Sequence, residues 1–374
     1  MYLRDEVSWG LTPNEKNMKI NFLIPTTGLT GGIKVIFKHA NNLTDMGHQV
    51  NIIYPFVLNQ NAQYKEKMLG YLKKIRRFFL RVIGKDKIEW FHLKSQIKVL
   101  RVFDLNSKNI PNADITVATA NETADWLQNY PPTKGKKFYF IQDYEVWSRD
   151  REMVDATWKM PIKKIVIANW LRDLGEKKFQ EKIYGYVPNG VDLKKFYNHQ
   201  KVFGQPQQIL MMYHILPKKG TVDGLRALSF VREKYPKTKL TLFGYYRPRI
   251  SLPKKTSFFY RPNPSTLRKL YSLADIFLWP SQVEGFGLPP MEAMACKCAV
   301  ICTDTGAIRD YAIPNRTVII VPPQRPDLIA QKIIDLIENR EKTKKISLSG
   351  AKKMKEFTWE KSSQKLEKIF LDNL

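Results

Sequence analysis

Short apolar stretches alternate along most of the chain with segments whose apolar residues recur every three or four positions. The short stretches are rich in Ile, Val, Phe and Leu, which predicts buried strands, and the longer segments predict amphipathic helices. Strands that alternate with helices form a parallel sheet, because each helix returns the chain to the same edge. The predicted strands are 18–25, 49–54, 95–103, 113–118, 138–142, 164–168, 208–214, 239–243, 257–260, 275–279, 298–302 and 317–321.

The alternation divides into two halves. At 374 residues the chain is long for one core and fits two domains. The turn sequence Pro-Asn-Gly-Val-Asp at 188–192 and the polar segment 198–208 separate the two series of strands. We therefore predict an N-terminal Rossmann-like domain over 1–195 and a second one over 196–357, with a final helix over 358–374.

Two carboxylates, Glu284 and Glu292, flank a glycine-rich turn between the strand 275–279 and a helical run that begins near Pro289. A helix that begins at such a turn leaves free backbone N–H groups and a positive dipole end, which together favour phosphate. The carboxylates can accept hydrogen bonds from sugar and ribose hydroxyls. The pattern thus predicts a nucleotide-sugar site, although a dipole-favoured helix Glu and a solvated loop Glu would give the same spacing. The residues of the turn are Gly285, Phe286, Gly287 and Leu288.

This stretch, Glu-Gly-Phe-Gly-Leu-Pro-Pro-Met-Glu, resembles the donor-site motif of the family 4 retaining glycosyltransferases, and Pro-Asn-Gly-Val-Asp resembles the linker of that family. The resemblance implies an α/β GT-B fold, in which two Rossmann-like domains face a central cleft and the C-terminal helix crosses back to the N-terminal domain. It also implies that no cofactor and no metal are needed, with a nucleoside diphosphate sugar as the donor substrate.

Other donor-site residues are carried over from the resemblance. Lys219 matches the lysine that neutralises the diphosphate, and His214 stands where the family has an arginine. Arg261 lies in the region that holds the base. Gly31 and Gly32 match a glycine turn after the first strand that faces the donor phosphates, although a plain tight turn would have the same sequence.

Polar residues also follow the strand 138–142. The Gln-Asp-Tyr-Glu sequence that begins at Gln142 resembles a segment of the subgroup that includes bacterial rhamnosyltransferases. Asp143 and Glu145 are candidates to orient an acceptor hydroxyl, and a capping or salt-bridge role is an equal alternative. The histidine that the family often places in the sugar pocket has no counterpart in 119–123.

The reaction that the resemblance implies is transfer of a sugar, with retention at the anomeric carbon, to a glycan or a lipid-linked saccharide in polysaccharide biosynthesis. A front-face route is the usual inference for this fold, with the leaving phosphate helping to take the acceptor proton. Lys219 and the loop N–H groups would stabilise the departing diphosphate, Glu284 would hold the sugar, and Glu292 would bind the ribose.

The net charge of +27 predicts an anionic partner. In 65–87, nine of 23 residues are Lys or Arg and apolar residues share one helical face. This predicts a basic amphipathic helix on an anionic membrane surface, with core packing as the alternative. Residues 1–17 are polar and charged, unlike a signal peptide. We expect a cytoplasmic protein, with peripheral attachment to the inner face of the membrane as a possibility.

Two other classes of function remain open. The charge is compatible with a nucleic-acid-binding protein, but no module motif of that class is present and no nucleic acid is expected. A nucleotide-sugar epimerase or a phosphorylase would use the same fold, although no cofactor-bearing lysine site for a phosphorylase is evident. Cys296, Cys298 and Cys302 form either a small metal site or a set of buried thiols, and burial is the preferred interpretation.

Overall fold

The computed structural model describes residues 17–56, 58, 88–204 and 207–374. The predicted basic helix at 65–87 lies outside the described residues. Two parallel sheets are present, and each predicted strand overlaps an observed one. The predicted α/β fold class is therefore confirmed.

Among the described residues, the first sheet has seven strands in the order β3-β2-β1-β4-β5-β6-β7. Neighbouring strands are parallel, with Lys19 opposite Gln49 on one side of β1 and Ile20 opposite Ile115 on the other. A strand covered on both faces is predominantly apolar, as in the fully buried β4, where Thr116 is the one polar residue. The strands are β1 (Lys19–Leu23), β2 (Gln49–Pro55), β3 (Lys98–Val102), β4 (Ile115–Ala118), β5 (Lys136–Ile141), β6 (Lys163–Val166) and β7 (Ile183–Tyr186).

The second sheet has six strands in the order β10-β9-β8-β11-β12-β13. The strand order reverses direction at β8, because β9 lies on one side of it and β11 on the other. Ligands of open α/β sheets bind at the carboxyl ends of the strands beside such a reversal. The strands are β8 (Gln208–Met212), β9 (Lys239–Gly244), β10 (Thr256–Tyr260), β11 (Ile276–Trp279), β12 (Ala299–Thr303) and β13 (Ile319–Val321).

Helix α1 is amphipathic, as its sequence period predicts. In α1, the predicted apolar positions Ile33, Ile36, Phe37, Ala40 and Leu43 are all buried. None of the helices in the described ranges is both long and apolar enough to cross a membrane. The α-helices are α1 (Gly31–Asp45), α2 (Asn121–Leu127), α3 (Arg151–Trp158), α4 (Asn169–Asp173), α5 (Thr221–Lys234), α6 (Pro264–Leu273), α7 (Leu288–Ala295), α8 (Ile308–Tyr311), α9 (Pro326–Glu338), α10 (Arg340–Met354) and α11 (Trp359–Leu371).

The last helix, α11, packs against β7 at the edge of the first sheet. A β-carbon at Gly185 of β7 would lie 2.2 Å from Ile369 Cδ1, so glycine allows this close approach. A β-carbon at Gly190 would likewise lie 2.3 Å from the Thr358 carbonyl carbon. Phe140–Leu371 forms one compact unit, which contains β6, β7, α11 and the whole second sheet.

Candidate active site

The glycine-rich turn lies between the end of β11 and the start of α7. Gly287 has φ +94°, a conformation that a side chain would strain, and it directly precedes the first residue of α7. The Tyr311 hydroxyl donates a hydrogen bond to the Gly287 carbonyl at 2.9 Å, and its ring stacks on Phe286 with centroids 5.4 Å apart. Phe286 and Tyr311 are buried, so they hold the turn from the core side.

Lys219 and Glu284 meet at this turn. The Lys219 ammonium donates to Glu284 Oε1 at 2.7 Å, and the two side chains are 20% and 11% exposed. A pair with this little water around it interacts more strongly than a surface pair, and a diphosphate would compete with the carboxylate for the same ammonium. The structure thus brings together the two residues that the sequence predicts as catalytic.

The loop that carries Lys219 is fixed against the turn by a glycine and by the backbone. Gly220 has φ +68°, and a β-carbon there would lie 1.9 Å from the Pro280 carbonyl oxygen. The Gln282 N–H donates to the Lys218 carbonyl at 2.7 Å. Lys219 is therefore positioned by contact between the loops that follow β8 and β11.

Glu292 is only 7% exposed and lies on the buried side of α7. The Tyr271 hydroxyl donates to Glu292 Oε2 at 3.3 Å. Burial raises the pKa of Tyr271 well above its ordinary value, and the nearby charge of Glu292 raises it further. The hydroxyl therefore remains a donor at any physiological pH.

His214 lies in the same loop as Lys219. Its Nδ1 accepts a hydrogen bond from the Leu216 N–H at 3.0 Å. Burial lowers the pKa of His214, and the charges of Lys219 and Lys218 lower it further. At neutral pH the imidazole is uncharged with its proton on Nε2, so it can donate one hydrogen bond but supplies no positive charge of the kind an arginine would.

The glycine turn also lies against the end of β5. A β-carbon at Gly285 would lie 2.4 Å from the Gln142 carbonyl oxygen. The Trp170 indole N–H donates to the Gly285 carbonyl at 2.9 Å. Asp143, the next residue after Gln142, is therefore beside the turn that carries Glu284.

The two predicted acceptor residues have different surroundings. Asp143 Oδ1 accepts from the Tyr144 N–H at 2.8 Å, and Asp143 Oδ2 accepts from the Trp147 indole N–H at 3.4 Å. The Glu145 carbonyl oxygen accepts from the Ser148 hydroxyl at 2.8 Å. Asp143 thus combines a turn-capping contact with a position next to the Glu284 turn, and its role toward an acceptor stays a prediction.

The remaining predicted donor residues lie at other strand ends. Arg261, directly after β10, has φ +46° and places its guanidinium 5.0 Å from the centroid of the Tyr260 ring. Gly31 and Gly32 are the first two residues of α1, and the Thr30 hydroxyl caps this helix by accepting from the Ile33 N–H at 3.2 Å. A β-carbon at Gly31 would meet nothing within 4 Å, so the chain itself does not require glycine there.

Several residues outside the motif, which the sequence did not predict, support the turn directly or through a neighbour. Asp310 Oδ2 accepts from the Asn169 N–H at 2.7 Å and from the Tyr186 hydroxyl at 3.1 Å, and burial raises the pKa of Asp310. Asn169 and Trp170 follow β6 at its carboxyl end, which is a signal that could have found them. Asp310 and Tyr311 carry no comparable signal in the sequence.

The three cysteines are buried free thiols. Burial raises the pKa of Cys298 to about 12, and its thiol donates to the Tyr271 carbonyl at 2.9 Å. Among the residues that the structure describes, no group of three or more His, Cys, Asp or Glu side chains could hold a metal ion. The geometry thus supports the preferred interpretation of the cysteine cluster as core packing.

Residues 192–353 match the family model described as "Glycosyl transferases group 1". This range includes Lys219 and both carboxylates of the motif. An uncharacterised glycosyltransferase of Methanocaldococcus jannaschii is 33% identical over 91 residues, which are 24% of this chain and 26% of that protein. A phosphatidyl-myo-inositol mannosyltransferase of Mycobacterium tuberculosis is 24% identical over 199 residues, which are 49% of this chain and 53% of that protein. The chain thus spans about a quarter to a half of these relatives.

Two solved structures resemble the chain over nearly its whole described length. The sucrose-phosphate synthase from Thermosynechococcus elongatus matches with a TM-score of 0.70 at 17% identity, covering 95% of this chain and 99% of that one. The Anabaena protein HepE, solved in complex with UDP-glucose, matches with a TM-score of 0.70 at 14% identity, covering 96% and 100%. At these identities the likeness shows the fold, and the predicted GT-B fold is confirmed.

Proposed function

We propose that the chain, whose residues 192–353 match the group 1 glycosyltransferases, is a retaining glycosyltransferase that uses a nucleoside diphosphate sugar. One observation carries this proposal: the ion pair of Lys219 and Glu284 at 2.7 Å, set against a glycine turn that opens α7. A cation, a carboxylate and a helix N-terminus at the carboxyl ends of parallel strands suit a ligand with both a diphosphate and hydroxyls.

The donor would bind by replacing contacts that the free protein makes with itself. A diphosphate oxygen would take the Lys219 ammonium from Glu284, and the freed carboxylate would accept a hydrogen bond from the sugar. His214 Nε2–H would add a neutral donor for the same phosphates. Glu292 would bind the ribose diol from α7, where the Tyr271 hydroxyl fixes one carboxylate oxygen at 3.3 Å.

The chemistry is the exchange of one bond at the anomeric carbon for another. The bond from this carbon to the leaving diphosphate oxygen breaks, and a bond to the acceptor hydroxyl oxygen forms on the same face. The acceptor proton passes to the leaving phosphate, so charges balance without a protein nucleophile or a metal. Lys219 and the backbone N–H groups of the turn would stabilise the charge that develops on the diphosphate.

We further propose that the acceptor is a glycan or a lipid-linked saccharide in polysaccharide biosynthesis. One relative, a phosphatidyl-myo-inositol mannosyltransferase, is named for a lipid acceptor. The nine basic residues among the 23 of 65–87 would bring the protein to an anionic membrane surface at the cytoplasmic face. In this proposal 1–195 binds the acceptor and 196–357 binds the donor, with 358–374 packed on the first domain.

A donor panel tests the proposed activity. The protein would be incubated with UDP-, GDP-, ADP- and dTDP-sugars, with and without a mixture of saccharide acceptors, and release of nucleoside diphosphate would be followed. We expect release from at least one donor, and proton NMR of the product should show the anomeric configuration of the donor. Release of no nucleoside diphosphate from any donor would reject the activity, and an inverted product would reject retention.

A further inference from the structure

Trp147 is a largely exposed tryptophan close to the candidate active site. Its side chain is 64% exposed, although large aromatic side chains are usually covered in part by the protein. It follows the end of β5, in the same segment as Gln142 and Asp143, which lie beside the Glu284 turn. An exposed indole next to a polar site commonly marks a surface that binds a ligand.

The indole is held in position rather than left to rotate. Its N–H lies 3.4 Å from Asp143 Oδ2, and the Lys218 ammonium lies 5.1 Å from the ring centroid. The Lys218 carbonyl in turn accepts a hydrogen bond from the Gln282 N–H at 2.7 Å. Gln282 lies two residues before Glu284 in the loop that follows β11. The ring is therefore held at one edge by Asp143 of its own segment, and by a cation–π contact with Lys218 of the loop that follows β8.

Other exposed apolar side chains lie on these same loops. Val146, Leu216 and Val283 are 41%, 44% and 50% exposed. Each is within two residues of a group in the contact chain from Trp147 through Lys218 to Gln282. The surface near the ion pair of Lys219 and Glu284 thus combines exposed apolar side chains with the carboxylate of Asp143.

We propose that Trp147 is a stacking platform for a sugar ring of the acceptor saccharide, an inference that rests on the proposed glycosyltransferase function. A pyranose has an apolar face of C–H groups and a rim of hydroxyls. The C–H face would pack on the indole, and a rim hydroxyl would donate to Asp143, which already lies at the ring edge. Burial of the exposed ring would stabilise the bound acceptor.

The donor is a poorer occupant of this platform. The nucleotide base is predicted to bind near Arg261, which follows β10. In the sheet, β10 is two strands away from β8. Adjacent strands are about 4.8 Å apart, so these strand ends are separated by roughly 10 Å across the sheet. Trp147 instead contacts the loop that follows β8, through Lys218. A donor with its base near Arg261 and its phosphates near Lys219 would direct only its sugar toward Trp147, where the acceptor must also be.

Saturation-transfer NMR with small saccharides tests the proposal. The probes are methyl glycosides of glucose, galactose, mannose, rhamnose and N-acetylglucosamine, added to the parent protein, Trp147→Ala, Trp147→Phe and Phe230→Ala. Phe230 is a control aromatic that is 43% exposed on α5. Thermal unfolding midpoints show whether each variant is folded.

We expect ring C–H signals from at least one glycoside with the parent protein. Its Kd should be at least tenfold weaker in Trp147→Ala and within threefold of the parent in Trp147→Phe and Phe230→Ala. Binding that is unchanged in Trp147→Ala, or no glycoside bound by the folded parent, would overturn the proposal. Calorimetry of nucleoside diphosphate binding by the parent separates the two failures. If only the Trp147 proposal is wrong, the parent still binds nucleotide; if the glycosyltransferase function is wrong, it does not.

Discussion

Lys219 and Glu284 are 65 residues apart in the sequence, and their contact at 2.7 Å is the main result at the scale of single residues. The sequence predicts each residue through its own motif, but no local pattern predicts that they pair. The pairing depends on how closely the loops after β8 and β11 approach, and this depends on Gly220 and the Pro280 carbonyl. A ligand anion that binds Lys219 would therefore compete with Glu284 for the same ammonium.

The two carboxylates of the motif should respond differently to substitution. Glu292→Ala removes a proposed acceptor for the ribose diol, so the binding free energy of the nucleotide should weaken by roughly 1.5–3 kcal/mol, the range for a hydrogen bond to a charged group. Glu284→Gln should reduce turnover more than nucleotide affinity, because it acts on the sugar. Calorimetric titration and steady-state kinetics on both variants check this prediction. If both variants keep the parental nucleotide affinity and turnover, the donor site is not at this turn.

At the scale of elements, the sequence predicted the strands well and missed β7. The central strands are recognisable because they are buried on both faces and are mostly apolar, as in β11, which has no polar residue. β7 is a short edge strand, partly buried at every position, and its Gly185 weakens a strand pattern. Its packing against α11 is a long-range contact, which the periodicity of apolar residues in the sequence does not encode.

The approach of the two loops gives a prediction on Gly220. A β-carbon there would meet the Pro280 carbonyl oxygen at 1.9 Å and would require φ +68°. Gly220→Ala should therefore displace Lys219 and lower both turnover and the thermal unfolding midpoint. Gly204→Ala is the matched control, because a β-carbon at Gly204 meets nothing within 4 Å. Equal effects of the two substitutions would show that the close approach is not needed.

Helix α1 carries a buried histidine whose protonation should set part of the acid stability. Burial lowers the pKa of His39 to about 3. Between pH ~6.5 and ~3 the unfolded chain binds a proton there that the folded chain does not, so stability falls as the pH falls, by about 1.4 kcal/mol per pH unit. His39→Asn should flatten this dependence, as read from urea midpoints at pH 7 and pH 5. An unchanged slope would contradict the assignment.

At the scale of the whole molecule, the net charge of +27 is the feature that the fold does not explain. The proposed donor binding at Lys219 would use only a small part of it. We attribute the rest to an anionic surface or an anionic acceptor, with 65–87 as the segment predicted to contact the membrane. Several basic residues, each contributing about 1 kcal/mol near an anionic surface, suffice for reversible attachment.

Co-sedimentation with liposomes tests the membrane prediction. Binding should require anionic lipid, should weaken as salt is added because the interaction is screened, and should drop when Arg76, Arg77 and Arg81 become Glu. A matched triple variant at Lys344, Lys345 and Lys352, on α10, controls for the loss of charge alone. Equal recovery in the supernatant with and without anionic liposomes would reject membrane attachment and leave the glycosyltransferase proposal intact.

The central claim is that sugar transfer depends on the cation that Glu284 holds in the free protein. The most direct measurement is the turnover of Lys219→Ala on the donor that the parent uses, beside Lys234→Ala. Lys234 also pairs with a carboxylate, Glu338 at 2.5 Å, but this pair is on the surface, with side chains 60% and 45% exposed. Turnover should fall by about 100-fold or more in Lys219→Ala, as when one preorganised charge stabiliser is removed, and should remain at the parental level in Lys234→Ala. Parental turnover in Lys219→Ala would contradict the account, because the departing diphosphate would then be stabilised elsewhere.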